Sequence, residues 1–295
     1  MDDVTIIIGT LQREKALKAC LTSIRDFYPT IPVLVIDDGP ERDPKKIQEK
    51  KRLVSGFQAK YYKLAYDTGA GEKRNFGIRM ARTNYVVILD DDFVFTGRTN
   101  LLAMRSILEQ RPEITILGGE VKDLSGHHGT RGSRLIRGAE LNKDGSIKFR
   151  YFHRYKIENP SLQNIAYLKK EYSFYPCSYV RTFMMIRKHD KIHWDPDLKT
   201  NPDHIDFFLR MQELTMFKVV YCPTVSLKHI HQGNSVGYEK MRKRRDFWKV
   251  FYAKTGFRFG FFYPKGNMLI RDYKEGRLVP WEKIQYLFEG KQHES

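Results

Sequence analysis

Cysteine is scarce in this chain: Cys20, Cys177 and Cys222 are the only three in 295 residues, and they stand far apart. No CxxC pair is present, which excludes the common zinc and dithiol frameworks. An odd, unpatterned set reads as reduced thiols in a cytosolic compartment. Long apolar runs are also missing. Nothing approaches the roughly 18–20 residues of a membrane span, and the N-terminus enters a β-rich run without a charged and apolar leader. These absences lead to the expectation of a cytoplasmic protein with neither span nor signal. Acidic residues are outnumbered, 35 Asp and Glu against 52 Lys and Arg, a net charge of +17. Such a field gathers anions. No helix-turn-helix pattern, RNP-like aromatic motif or zinc-finger spacing accompanies the charge, so no specific nucleic-acid partner is expected.

Against this background the few acids are concentrated. Val86-Val87-Ile88-Leu89 runs straight into Asp90-Asp91-Asp92-Phe93. Three adjacent carboxylates repel one another and are costly to desolvate, so the cluster calls for a cation, and oxygen ligands favour Mg²⁺ or Mn²⁺. The competing reading is a solvated turn after a strand. Two other runs bear on the choice. Val4-Thr5-Ile6-Ile7-Ile8 precedes Gly9-Thr10 and a helical pattern through Leu17, Leu21 and Ile24; Val33-Leu34-Val35-Ile36 then ends in Asp37-Asp38-Gly39. Apolar β-rich runs alternating with helical stretches predict βαβ units and a parallel sheet, with both acidic clusters on its ligand-binding edge. With 41% hydrophobic residues the chain can bury a full core.

Tyr66 to Asn75 carries Gly69 and Gly71 just before a helical run through Ile78, which suggests a helix N-terminus open to phosphate, with Arg74 beside it. Residues 131–156 form a basic region, from Arg131 on, with a hairpin signal at Asp144-Gly145. Residues 240–252, including Arg242, interleave cations with Phe247, Trp248, Phe251 and Tyr252. As a helix this segment suits either peripheral contact with a membrane or packing of its aromatics on the domain.

The segments at 4–13, 35–39, 71–75 and 89–93, in this order, resemble the metal-dependent GT-A glycosyltransferases of the broad family 2 type. Asp90 to Thr96, Gly118-Gly119 and His204 to Leu209 further resemble the β-1,4-N-acetylgalactosaminyltransferases. The resemblance implies an α/β GT-A fold, a Rossmann-like mixed sheet flanked by helices, over residues 1–235. Its nucleotide-binding half would be 1–120 and its acceptor half 121–235, followed by a basic, aromatic and helical extension at 236–295. It implies a UDP-sugar donor, Mn²⁺ or Mg²⁺, a glycan or anionic acceptor, and inverting transfer of a sugar such as an N-acetylhexosamine.

Carried over by position, Thr10 and Arg13 line the nucleotide pocket, Asp38 approaches uracil or ribose, and Arg74 and Asn75 meet the diphosphate or ribose. Asp90 faces ribose or a metal-bound water, Asp91 lies between, and Asp92 is the direct metal ligand. His229 is preferred to His231 as the histidine that closes over the metal. The base is sought at the start of the helix at 203–210, with Asp206 first and His204 and Asp203 behind it; Asp203 as a mere cap is the alternative there. Tyr175 to Phe183 borders donor sugar and acceptor, with Arg181 where an asparagine is usual, an arginine suited to an acidic sugar or phosphate. Trp194 is placed either to stack on a sugar or to pack in the core. A nucleotidyltransferase acting on a sugar phosphate and a noncatalytic polyanion-binding protein remain the alternative functions.

Overall fold

The computed structural model describes residues 1–123, 132–214, 216–230, 239–241, 243–263 and 267–288. Arg131, His231 and Arg242, singled out in the sequence, lie outside them, as does the expected junction at 235/236.

The three apolar runs form the centre of a ten-stranded sheet. Strands β1 (Val4–Thr10), β2 (Val33–Asp37), β3 (Lys60–Lys63) and β4 (Tyr85–Asp90) are parallel in the order β3-β2-β1-β4. Helices on both faces explain why β1 and β2 are apolar almost throughout instead of alternating. Helix α1 (Glu14–Phe27) buries Leu17, Cys20, Leu21 and Ile24 on one side, as their spacing predicts. Helix α2 (Pro44–Gly56) begins where the Asp43 carboxylate accepts from the Lys45 amide and Pro44 takes the first turn. Helix α3 (Ala70–Met80) packs on β1 and β2, and the register Gly9↔Asp90 and Thr10↔Asp37 brings the ends of β1, β2 and β4 to one edge.

Beyond β4 the sheet becomes mixed. After the short β5 (Phe93–Val94) and helix α4 (Leu101–Gln110) come β6 (Ile114–Asp123), the hairpin β7 (Ser133–Leu141) and β8 (Ile147–Lys156), then β9 (Gln163–Tyr167), β10 (Lys170–Cys177), β11 (Met184–Arg187), helix α5 (Asp203–Glu213) and β12 (Lys218–His229). The antiparallel β11 is inserted between β4 and β6. Strand β12 runs parallel to β6 and brings His229 opposite Phe93 of β5. Gly145 at φ +82° turns the expected β7–β8 hairpin.

The C-terminal extension, expected to be helical, has one helix, α6 (Asp246–Thr255), and three strands: β13 (Phe257–Phe262), β14 (Leu269–Asp272) and β15 (Arg277–Val279). With the hairpin they form a second sheet, β15-β14-β13-β8-β7. The strand pattern was hidden because Phe257 to Tyr263 is aromatic at nearly every position, with one sheet face packing on the large domain and the other on Ile284 and Phe288. Of the two readings of 240–252, packing on the domain holds for its aromatic residues. Trp248 and Phe251 are buried, and Phe247, Val250 and Tyr252 pack on the same core, because the second sheet offers α6 an apolar surface. Among the described residues, no helix is long and apolar enough to cross a membrane.

Candidate active site

The ends of β1, β2 and β4, the start of α3 and the start of α5 enclose a cavity of about 420 Å³, inside the range of roughly 300–1,000 Å³ typical of small-molecule sites. Its wall includes Thr10, Arg13, Asp38, Arg74, Asp90, Asp91, Asp92, Asp203, His204 and His229, ten of the twelve residues expected to serve as donor, metal or base residues, together with Arg181. Asn75 and Asp206 are the two that do not line it.

The aspartate triplet is at the centre. Strand β4 ends at Asp90, and a turn carries Asp91 and Asp92 toward β1. Alternation therefore stops there, and all three acids reach the cavity. Asp90 accepts from Thr182 Oγ1 at 2.6 Å. Asp91 accepts from Thr10 Oγ1 at 2.7 Å and from Arg13, whose second Nη donates to Asp92 at 2.8 Å. Burial raises the Asp91 carboxyl pKa despite Arg13. Burial works in the same direction on Asp92, but His229 and Arg13 outweigh it and hold that carboxyl below its ordinary value. Two acids side by side are thereby given opposite shifts, by different numbers of cationic partners.

His229 is the carrier of the candidate metal position. Its Nε2 is 3.0 Å from Asp92 Oδ2 and its Nδ1 is 2.7 Å from Asp123 Oδ1. Burial lowers its pKa, but the two carboxylates prevail and raise it. Among the described residues no group of three or more His, Cys, Asp or Glu could hold a metal unaided. The Asp92–His229 pair nevertheless fits one: adjacent ligands of an octahedral ion, each at about 2.1 Å, lie about 3.0 Å apart. A carboxylate oxygen and an imidazole nitrogen oriented by a second carboxylate are a donor set for Mn²⁺ or Mg²⁺, with phosphate oxygens and water completing the shell.

At the β2 end of the cavity, Asp38 accepts from Lys73 Nζ at 2.6 Å and from the Gly69 amide at 2.9 Å. The Ala70 amide donates to the Lys199 carbonyl. Two of the amides that open α3, those of Gly69 and Ala70, are therefore bonded within the protein. Gly69 is required by its conformation: its φ is +100°, and a Cβ would lie 2.6 Å from Lys199 Cα. The expectation for Asn75 is corrected. Its amide donates to the Trp194 carbonyl and its oxygen accepts the Trp194 amide, tying α3 to the segment before α5. Trp194 is fully buried and stacks on Phe207 at 4.0 Å, so it is core and not a sugar platform.

At the start of α5 the acids part company. Asp203 lines the cavity and accepts from Arg74 Nη1 at 2.9 Å. Asp206, the first choice for base, is 2% exposed and accepts from Arg210 Nε one turn on. Arg210 draws the carboxylate along the helix, away from the cavity; burial raises the Asp206 pKa despite that partner. His204 Nε2 donates to the Val180 carbonyl at 2.9 Å, which leaves Nδ1 as the lone-pair nitrogen, buried and without a partner. Burial and then Arg74 push the His204 pKa down to about 4.

Lys73, Asp67, Lys199, Thr182 and Arg244 contribute to this arrangement without having been assigned roles from the sequence. Arg244 grips Asp67 with two hydrogen bonds of 2.7 and 2.8 Å, so the basic 240–245 run reaches back to the cavity wall. A lysine in the Gly-Glu-Lys-Arg-Asn stretch was the visible signal for Lys73; nothing local marks Asp67 or Lys199.

Residues 5–185 match the family model for glycosyl transferase family 2. Human β-1,4 N-acetylgalactosaminyltransferase 1 is 38% identical over 123 residues, 42% of this chain and 21% of the human protein. Mouse β-1,4 N-acetylgalactosaminyltransferase 2 is 35% identical over 119 residues, 40% of this chain and again 21% of the relative. The matched stretch is thus about a fifth of the length of these curated relatives. The fold is shared with Staphylococcus aureus TarS 1–349 in complex with UDP-GlcNAc, at a TM-score of 0.56 and 15% identity, covering 86% of this chain and 65% of that one. It is also shared with GalNAc-T7 bound to UDP, GalNAc and Mn²⁺, at 0.54 and 14%, covering 79% and 44%. The expected GT-A architecture is therefore present.

Proposed function

The chain belongs to glycosyl transferase family 2, and from that premise we propose that it transfers an N-acetylhexosamine from a UDP-sugar to a glycan hydroxyl, with Mn²⁺ or Mg²⁺ and inversion at the anomeric carbon. The observation that carries this reading is the convergence of Asp90, Asp91, Asp92 and His229 with Arg13, Lys73 and Arg74 on one cavity. Family membership gives no support to nucleotidyl transfer or to a purely noncatalytic role.

Thr10, Arg13, Asp38 and Lys73 would flank the nucleoside and diphosphate, with Asp92 and His229 holding the metal. When bound, that ion neutralises charge growing on the departing diphosphate. Asp203 is the base that this geometry favours. The acceptor oxygen attacks the anomeric carbon, its proton passes to the Asp203 carboxylate, and the bond from that carbon to the diphosphate oxygen breaks to release UDP. Arg74, 2.9 Å away, holds Asp203 in place. His204, neutral at pH 7 with its Nε2 hydrogen committed to Val180, positions the α5 start against the 180–182 segment.

The test is calorimetric binding of UDP, GDP and CDP with and without Mn²⁺, followed by incubation with UDP-GlcNAc and UDP-GalNAc. UDP is expected to bind best, and more tightly with Mn²⁺. Indifference to both base and metal would remove the basis for the proposal.

A further inference from the structure

The cations of the cavity wall are nearly all paired. Arg13 holds Asp91 and Asp92, Lys73 holds Asp38, Arg74 holds Asp203, and Lys199 and Arg244 share Asp67. Arg181 differs. It lines the cavity, no carboxylate among the described residues pairs with it, and its Nη1 is buried without a hydrogen-bond partner.

Close to Arg181 in the chain begins a series of arginines that also lack a carboxylate partner among the described residues. Two residues before it, Tyr179 presents its ring to Arg154, with the guanidinium carbon 4.9 Å from the ring centre. Arg154 lies 5.0 Å from Phe262 on its other side, and Phe262 is 4.5 Å from Arg271. Arg271 lies 5.2 Å from Trp248, which also carries Arg245 at 5.5 Å. Arginine and aromatic side chains thus alternate along the junction of the two sheets. None of Arg154, Arg271 and Arg245 has a carboxylate partner among the described residues, although Arg271 donates to Asn201, itself in the cavity wall.

A guanidinium carries five N–H donors, more than its aromatic neighbours can occupy. Aromatic packing therefore fixes these groups without consuming most of their hydrogen-bonding capacity. Arg154 and Arg271 are half-buried, with the Arg271 Nε buried, and Arg245 is exposed, so the series runs outward to the surface. The 180–183 segment is itself firmly seated: a Cβ on Gly118 would lie 2.5 Å from Val180, and one on Gly119 2.3 Å from Phe183. The series begins at a fixed point beside the α5 start.

We propose that this arginine-aromatic ladder is an acceptor-binding track, and that it takes an extended sugar chain bearing carboxylate or phosphate groups. The proposal rests on the glycosyl-transfer reading, which makes the cavity the place where the end of such a chain must arrive. N–H donors of successive arginines hold successive anionic groups, and the chain terminus enters the cavity between Arg181 and His204.

The experiment uses the full chain saturated with UDP and Mn²⁺, so that the donor cavity is filled. A short oligogalacturonate, a linear polyphosphate and neutral maltohexaose are titrated calorimetrically. At least one anionic probe should bind and maltohexaose should not; the stronger of the two identifies the anion source. Arg154→Gln and Arg271→Gln should each weaken that binding by about tenfold, as expected for loss of a charge-assisted contact. The exposed Arg245→Gln, which removes no buried group, should weaken it by a smaller factor. UDP affinity should be unchanged in all three. The proposal is overturned if neither anionic probe binds, if maltohexaose binds equally well, if the ladder variants bind like the parent, or if Arg98→Gln on the exposed surface away from the ladder costs as much. Failure of UDP and Mn²⁺ to bind the parent chain would instead sink the transfer reading, a separate measurement.

Discussion

The end of β4 and the start of α5 each present clustered acids, yet they deliver them differently. At the strand end a turn brings Asp90, Asp91 and Asp92 to the same cavity, where Arg13, Thr10, Thr182 and His229 divide them. At the helix start Asp203 enters the cavity while Asp206, three residues on, is bound to Arg210. A helix rotates about 100° per residue, so residues three apart are offset by about 60° and respond to different neighbours. Equal spacing on a wheel is a weaker guide to a shared site than the end of a parallel strand.

The largest test of this contrast lies on the strand side. Asp92→Ala should abolish Mn²⁺-dependent UDP binding and cut transfer by at least about a thousandfold, since it removes the metal's carboxylate and several kcal/mol of charge stabilisation. Retained turnover would detach the triplet from catalysis. On the helix side, Asp203→Asn should lower kcat by about 10²- to 10⁴-fold, the range of a lost general base, with UDP affinity little changed. Asp206→Asn should leave kcat within about threefold. The reverse pattern would restore Asp206 as base and show that the α5 start rearranges with substrate.

A third measurement separates His204 from the acids beside it. Its folded-state pKa of about 4 lies below the ordinary imidazole value, so the unfolded chain binds the proton first. Stability is therefore lost as pH falls from about 6.5 toward 4, by about 2 kcal/mol at pH 5 from this group. Urea titrations at pH 7 and pH 5 should show a smaller difference for His204→Gln than for the parent. An equal difference would mean that His204 is not held neutral. Acting through packing alone, Gly118→Ala pushes a methyl into Val180 and should cost about 1–3 kcal/mol. Its thermal midpoint should fall, and acceptor turnover should fall more than UDP binding because the 180–183 segment borders α5 and not the Asp38 end of the cavity.

Much of the strand side was legible because each feature there is local. An apolar run followed by acids specifies both a buried parallel strand and where its charged end must lie. The roles of Asn75 and Trp194 were not legible, since an asparagine beside a cationic motif looks the same whether it binds a ligand or, as here, clamps Trp194 through both backbone bonds. Glycines before α3 read as a phosphate cradle, whereas Gly69 answers a backbone conformation and the approach of Lys199, 130 positions away. The extension was read as helical because cation-aromatic interleaving has no period that distinguishes a helix from strands buried on both faces.

The sequence by itself determined the α/β architecture, the carboxyl edge of the sheet as the place of the cavity, and the identity of most residues that meet there. Strand termini, apolar runs and turn glycines act over a few residues, so their consequences can be read locally. Only the tertiary structure decided which acid of α5 faces the cavity, that Arg244 closes on Asp67, and that arginines of three separate segments, Arg154, Arg245 and Arg271, meet aromatic rings in one series. Those outcomes depend on which carboxylate or ring each cation meets across the fold, and charge pairing over such separations leaves no periodic trace in the chain.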